Sequence, residues 1–80
     1  MTLWDFIQHI KHKSIELKIY DLYGEKGDNF LYIGTIGEYL TSLKASMLNS
    51  WTICKIYPWV FKSIHGFTIE IVRPVKEGDK

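Results

Sequence analysis

Apolar and polar residues alternate along the chain with two different periods, and the switches between them divide it into segments. Leu3, Phe6, Ile7 and Ile10 recur at i, i+3, i+4 and i+7, one face of a 3.6-residue helix. Thr2 and Asp5 stand ahead of that stripe with capping-box spacing, Asp replacing the usual Glu. Asp5 suits the positive end of the helix dipole, and Lys11, His12 and Lys13 suit the negative end. The pattern predicts a helix over residues 3–13. At Ser14 the period becomes two. Ile15, Leu17 and Ile19 alternate with Glu16, Lys18 and Tyr20, the mark of a strand with one buried face. Residues 24–29 have turn composition, and residues 30–34 read as a second strand. Residues 15–34 are therefore expected to form an antiparallel hairpin.

Thr35 and Glu38 repeat the capping-box spacing before a second stripe of Ile36, Tyr39, Leu40 and Leu43. This predicts a helix over residues 36–45, with residues 46–50 either extending it or forming a loop. Residues 51–57 are rich in β-branched and aromatic types and read as a third strand, ended by Pro58. Residues 67–72 alternate cleanly as a fourth strand, stopped by Pro74. The expected fold class is α+β in the order α-β-β-α-β-β, a mostly antiparallel four-stranded sheet with two helices on one face. Residues 1–74 make one small domain in this reading, and residues 75–80 a polar C-terminal tail.

Composition sharpens the picture where burial is concerned. An 80-residue chain buries only roughly 60% of the surface its unfolded form exposes. At 46% apolar and 15% aromatic residues, the chain has the material for an efficient core. Ten basic residues stand against nine acidic ones, which argues against disorder and against the strong positive balance typical of nucleic-acid binders. A single cysteine, Cys54, allows no internal disulfide and points to a reducing, cytoplasmic setting. The opening residues place Asp5 inside the apolar stripe and their basic residues after it, the reverse of a secretory signal. No run of apolar residues is long enough to span a bilayer, so no spanning helix is expected, and with only Lys55 and Lys62 flanking the apolar connector over residues 57–64 a membrane is not expected as a partner.

The chemistry-bearing residues do not assemble into a motif. His9 and His12 are spaced i, i+3 on the predicted helix, but a structural zinc site needs about four ligands. Cys54 lies within a predicted strand, away from the electropositive, accessible setting a reactive thiol needs, and reads as a small, at least half-buried apolar residue. Asp5 and Glu38 have capping explanations, and Glu16 and Glu70 read as solvated residues of alternating strands. The glycines at 34 and 37 precede a helix without a phosphate-binding spacing. The expectation is a non-enzymatic chain with no catalytic residue, metal, cofactor or small-molecule substrate. The one constellation that would make an enzyme of it is Cys54, His65 and Glu70 brought together in space.

What remains is surface. With Ile15, Leu17 and Ile19 inward, Lys18 and Tyr20 face outward. The outward side of strand 2 then carries either Phe30 and Tyr32 or Leu31 and Ile33. Strand 3 places Trp51, Ile53 and Tyr57 on one side and Cys54 and Ile56 on the other. Apolar groups on both faces of so small a sheet predict that the second face is partly covered, by a second copy, another protein or stacked bases. The apolar connector over residues 57–64 supplies candidate anchors Tyr57, Trp59, Val60 and Phe61, since Trp and Tyr dominate interface hot spots. A competing expectation is a nucleic-acid face of Lys18, Tyr20, Tyr32 and Lys55, joining stacking to phosphate contact.

The opening MTLWDFIQHIKHKSIELKIYD resembles the helix-then-strand start of many small proteins encoded by bacteriophages and mobile elements, and IGTIGEYL resembles their strand-to-helix transitions. The likeness covers about the first 20 residues. It implies an accessory protein of phage or mobile-element origin, and carries no functional residue with it. Some anti-CRISPR proteins, inhibitors of a host defence system, look similar at the N-terminus. They tend to be acidic mimics of DNA, from which this near-neutral chain departs.

Overall fold

Among residues 1–24 and 29–74, which the computed structural model describes, the elements run α1 (Leu3–Ile7), β1 (Glu16–Asp21), β2 (Phe30–Thr35), α2 (Ile36–Leu40), α3 (Leu43–Leu48), β3 (Thr52–Phe61) and β4 (Ile64–Val72). The strands form one sheet in the order β2-β1-β4-β3. This is the expected α+β class. Each hairpin, β1–β2 and β3–β4, is antiparallel, and the central pair β1–β4 is parallel. The sheet is therefore mixed. β2 and β3 run in the same direction on opposite edges, so the chain must cross the sheet between them, as a parallel connection requires. α2 and α3 make that crossing.

The alternation in β1 decides which face is covered. Leu17 and Ile19 point to the helices together with Ile69 and Ile71 of β4. Leu3 and Ile7 of α1, Ile36 and Tyr39 of α2, and Ala45 and Leu48 of α3 close over them in a single core. Trp51 joins this core, and Phe6 meets Phe67 edge-on with ring centroids 5.2 Å apart. The Tyr39 hydroxyl, inside the core, donates to Asn49 Oδ1 at 2.8 Å. Burial holds its phenol well above the ordinary tyrosine range. The N-terminal segment is tied to the start of β3. Leu3 N–H donates to the Trp51 carbonyl at 2.9 Å, and Ile53 N–H to the Met1 carbonyl at 2.9 Å.

Both helix expectations need correction in length. α1 stops at Ile7 instead of running to residue 13. His9 and Ile10 N–H groups reach back three residues, to Phe6 and Ile7, and tighten the chain into a turn. Ile10 still packs on the core, so its place in the stripe was a matter of burial and not of helix. Lys11, His12 and Lys13 accordingly do not sit in a last helical turn. The second predicted helix is two helices, broken at Thr41 and Ser42. The Ser42 hydroxyl donates to the Tyr39 carbonyl at 2.7 Å and the Thr41 hydroxyl to the Glu38 carbonyl at 3.1 Å. Such back-bonding competes with the helical ladder. The break carries Leu43 away from the core, leaving it 91% exposed. The expected tail at residues 75–80, and residues 25–28 of the first turn with Asp28, lie outside the described residues.

Both capping boxes are present. Thr2 N–H donates to Asp5 Oδ2 at 3.0 Å while Thr2 Oγ1 accepts from Asp5 N–H at 3.2 Å. Thr35 N–H donates to Glu38 Oε1 at 2.9 Å and Thr35 Oγ1 accepts from Glu38 N–H at 3.2 Å. These bonds, the backbone one foremost, hold both carboxyls below their ordinary pKa. A carboxyl whose pKa is lowered by folding stabilises the fold above its unfolded-state pKa and loses that contribution as pH falls through the folded value. Thermal melts followed by circular dichroism should show the midpoint falling on acidification through the carboxylate range. Glu38→Gln, which keeps a capping side chain without the charge, should flatten that fall. A slope unchanged in Glu38→Gln would remove this box from the acid response.

Candidate interaction surface

Strand register lays the second face of the sheet out as a grid. Crossing from β2 to β3, one row reads Thr35, Glu16, Gly66, Trp59; the next Ile33, Lys18, Thr68, Tyr57; the third Phe30, Tyr20, Glu70, Lys55. Phe61 and Ile64 continue it beyond the first row. Among the described residues no helix covers this face. Ile33 is 56% exposed and Phe30 48% exposed, both in the open. A helix-backed sheet normally keeps such a face polar; here apolar and aromatic groups occupy about half of it.

The side chains on the face touch one another. Tyr20 packs edge-on against Phe30 with centroids 5.7 Å apart. The Lys18 ammonium lies 5.1 Å from the centroid of the Trp59 ring, a cation–π contact. The Tyr57 hydroxyl donates to Glu70 Oε1 at 3.1 Å. Trp59 lies flat over Gly66, whose missing side chain makes room for the indole. Its Nε1 is buried without a hydrogen-bond partner, the one such side-chain atom among the described residues. The face carries two cations, Lys18 and Lys55, and two anions, Glu16 and Glu70.

Residues 57–64 form a hairpin instead of a connector, and Pro58 does not end β3 but lies inside it, opposite Phe67. The structure explains how. β3 is an edge strand, and a proline without an N–H fits where that N–H would point away from the sheet. β1 begins at Glu16, level with Gly66, so the pairs Val60–His65 and Phe61–Ile64 extend past it as a two-stranded arm. Val60 and Phe61 are each 63% exposed. A groove of about 860 Å³ runs between the arm and the segment before β1, lined by Ile15, Pro58, Val60, Ile64 and Phe67.

At the tip, Lys62 and Ser63 turn the chain with φ of 48° and 68°. Two central residues with positive φ are the signature of the tight hairpin turn whose twist matches the strands, and Asn-Gly is its preferred sequence. Lys and Ser both carry the steric cost of the left-handed region there, about 1 kcal/mol or more per residue. Replacing them together, Lys62→Asn with Ser63→Gly, should raise stability by about 1 kcal/mol and the melting midpoint by roughly 4–8 °C. A lowered midpoint would contradict this turn geometry.

The site residues expected from sequence separate as follows. Tyr57, Trp59 and Phe61 share the open face. Val60 pairs with His65 and points to the helix side of the arm, into the groove. Lys18, Tyr20 and Lys55 also lie on the open face. Tyr32 does not: it is level with Ile19, packs edge-on against Tyr39 at 5.2 Å and donates its hydroxyl to the Thr35 carbonyl at 3.3 Å. Burial raises its phenol pKa, with Glu38 adding to the effect. Neither alternative for strand 2 holds, because a bulge at Leu31 turns Leu31 and Tyr32 both inward and leaves Phe30 and Ile33 outward. A second bulge, at Cys54, puts Ile53 and Ile56 together on the core side and Tyr57 on the open one. Cys54 is the extra residue and is exposed, contrary to its expected burial. Phe30 and Ile33, which the sequence offered only as alternatives to each other, both belong to the surface, and Ile64 joins them as a member that sequence reasoning did not single out.

Two other constellations stay apart. Glu70 is level with Lys55, next to Cys54, whereas His65 lies five residues along β4 at the arm, roughly 16 Å away. Among the described residues no three His, Cys, Asp or Glu side chains cluster as metal ligands, and no helix is long and apolar enough to cross a membrane. Comparison with protein-family models, curated proteins and solved structures found no match.

Proposed function

We propose that this chain is a non-enzymatic protein-interaction module, an accessory protein of phage or mobile-element origin working in the cytoplasm. The observation that carries the reading is the uncovered sheet face, where Phe30, Ile33, Tyr57 and Phe61 stand exposed on a rigid scaffold with Trp59 packed among them. Exposed apolar patches rimmed by charge mark docking surfaces, and Tyr and Trp supply contact area at low entropic cost. Inhibition of a host defence system is one way such a module would act.

The test uses the double variant Ile33→Asp with Phe61→Asp, checked by circular dichroism for an unchanged fold. Partners retained by the immobilised wild-type chain should be lost by the variant. A folded variant that keeps every partner overturns the reading.

A second reading, nucleic-acid binding on the same face, is favoured by Lys18, Tyr20 and Lys55 lying beside Trp59 and Tyr57. Glu16 and Glu70 on that face oppose a polyanion. Fluorescence anisotropy with a labelled single strand decides it: binding that weakens with salt supports nucleic acid, and no binding at low salt ends it.

A further inference from the structure

We infer that the protein seated on the open face is a second copy of this chain, packed sheet to sheet about a two-fold axis. This rests on the reading of that face as a protein-docking surface, and three observations select the occupant.

The first is size. Four strands about 4.8 Å apart, with β3 and β4 longer than β1 and β2, give a face of roughly 500 Å² in projection, before side-chain relief is counted. A stable interface takes roughly 600–1,000 Å² from each partner. A docked peptide strand would cover about a quarter of the face. An occupant of the same outline covers all of it.

The second is charge. Two cations and two anions leave the face neutral, which disfavours a partner of one sign. The grid is self-complementary. A two-fold axis parallel to the strands, midway between β1 and β4, sets β2 of one copy over β3 of the other. Ile33 then faces Tyr57, Phe30 faces Lys55 and Tyr20 faces Glu70, while Lys18 faces Thr68 one residue-pair from the second copy's Glu70. No like charges oppose one another. Sheets packed this way lie within about 30° of alignment, the geometry of a sandwich.

The third concerns the competing mode, pairing along an edge. Pro58 removes a donor from the middle of the β3 edge and the Cys54 bulge distorts its start. Both are devices that block edge-to-edge association. The opposite edge, β2, is itself distorted by the bulge at Leu31, which leaves the face as the surface through which two sheets of this kind meet.

The test is light scattering and sedimentation on the full chain over a range of concentrations. The mass should rise from 9.4 kDa towards twice that value. Ile33→Asp should hold it at the monomer. Lys18→Glu and Glu70→Lys should each weaken the dimer by about tenfold or more, by setting like charges together. An equimolar mixture of those two single variants should recover the dimer. In the mixed pair, positions 18 and 70 again meet across the interface with opposite charges at both symmetry-related contacts, and no effect confined to one chain is relieved by mixing. A chain that stays at 9.4 kDa throughout, or a dimer indifferent to Ile33→Asp and to the charge reversals, overturns the inference. The two readings fail separately. A monomer whose Ile33→Asp variant loses a captured partner overturns the second copy and keeps the docking face; a monomer that loses none overturns both.

Discussion

Ile19→Ala is expected to destabilise the domain more than any surface change, by about 2–5 kcal/mol. Ile19 is fully buried in a central strand, with Ile69 beside it on the parallel partner and Tyr32 on the other side. The helices above it are held from settling fully into the space a removed side chain leaves, because α1 is tied to the start of β3 by the Leu3–Trp51 backbone bond and α2 to the segment before β1 by Ile36 N–H donating to the Ile15 carbonyl. A chain of 80 residues has only about 4–12 kcal/mol of total stability. The variant should therefore melt some 10 °C or more lower, or be unfolded at 37 °C. Ile33→Ala makes the comparison at dilutions where the chain is a monomer: it removes a similar side chain from the open face, outside the chain's own core, and should move the midpoint little. Equal losses in the two variants at that dilution would mean that the open face is covered within the single chain as thoroughly as the core.

Gly66→Ala is expected to cost about 1–3 kcal/mol, although alanine is ordinarily the better strand residue by roughly 0.5–1 kcal/mol. A Cβ at this position would stand 2.5 and 2.7 Å from Cε2 and Cη2 of Trp59. The clash outweighs the propensity gain because the indole is held from above by Lys18. If the ring swings off the sheet to escape, Nε1 reaches water and the fluorescence shifts to the red. A midpoint unchanged or raised, with unchanged emission, would show that the ring does not rest on the glycine. The substitution also separates packing from docking, since it spoils the flat aromatic surface without touching an exposed residue.

The legible parts of this fold are those decided within a few residues. Thr2 with Asp5 and Thr35 with Glu38 announce helix starts because cap and capped N–H are three residues apart. The period-two run of β1 announces its buried face because both neighbours of that strand pair without interruption beside Leu17 and Ile19. What misled was decided at a distance. One additional residue at Leu31 and another at Cys54 exchange the faces of everything beyond them, and nothing in composition marks a bulge. Pro58 is a strand breaker in a central strand and tolerable in an edge strand, so its meaning depends on a sheet order that only the parallel pairing of β1 with β4 establishes. The open face followed the same division. Lys18, Tyr20, Tyr57, Trp59 and Phe61 were recognisable as candidates, whereas Phe30 and Ile33 stood as alternatives to each other until the bulge placed both on one face.

The parallel pairing at the centre has a consequence for synthesis. It joins residues 16–21 to residues 66–71, a separation of 50 positions (66 − 16). Until β4 has left the ribosome, the nascent chain holds one hairpin, unclosed helices and no middle to its sheet, and the aromatic residues of both faces are bare at once. Long-range pairing of this kind is slow to form and exposed to aggregation while it waits. Cells making this protein rapidly should depend on chaperones until β4 has emerged, and raised chaperone levels should raise the soluble yield.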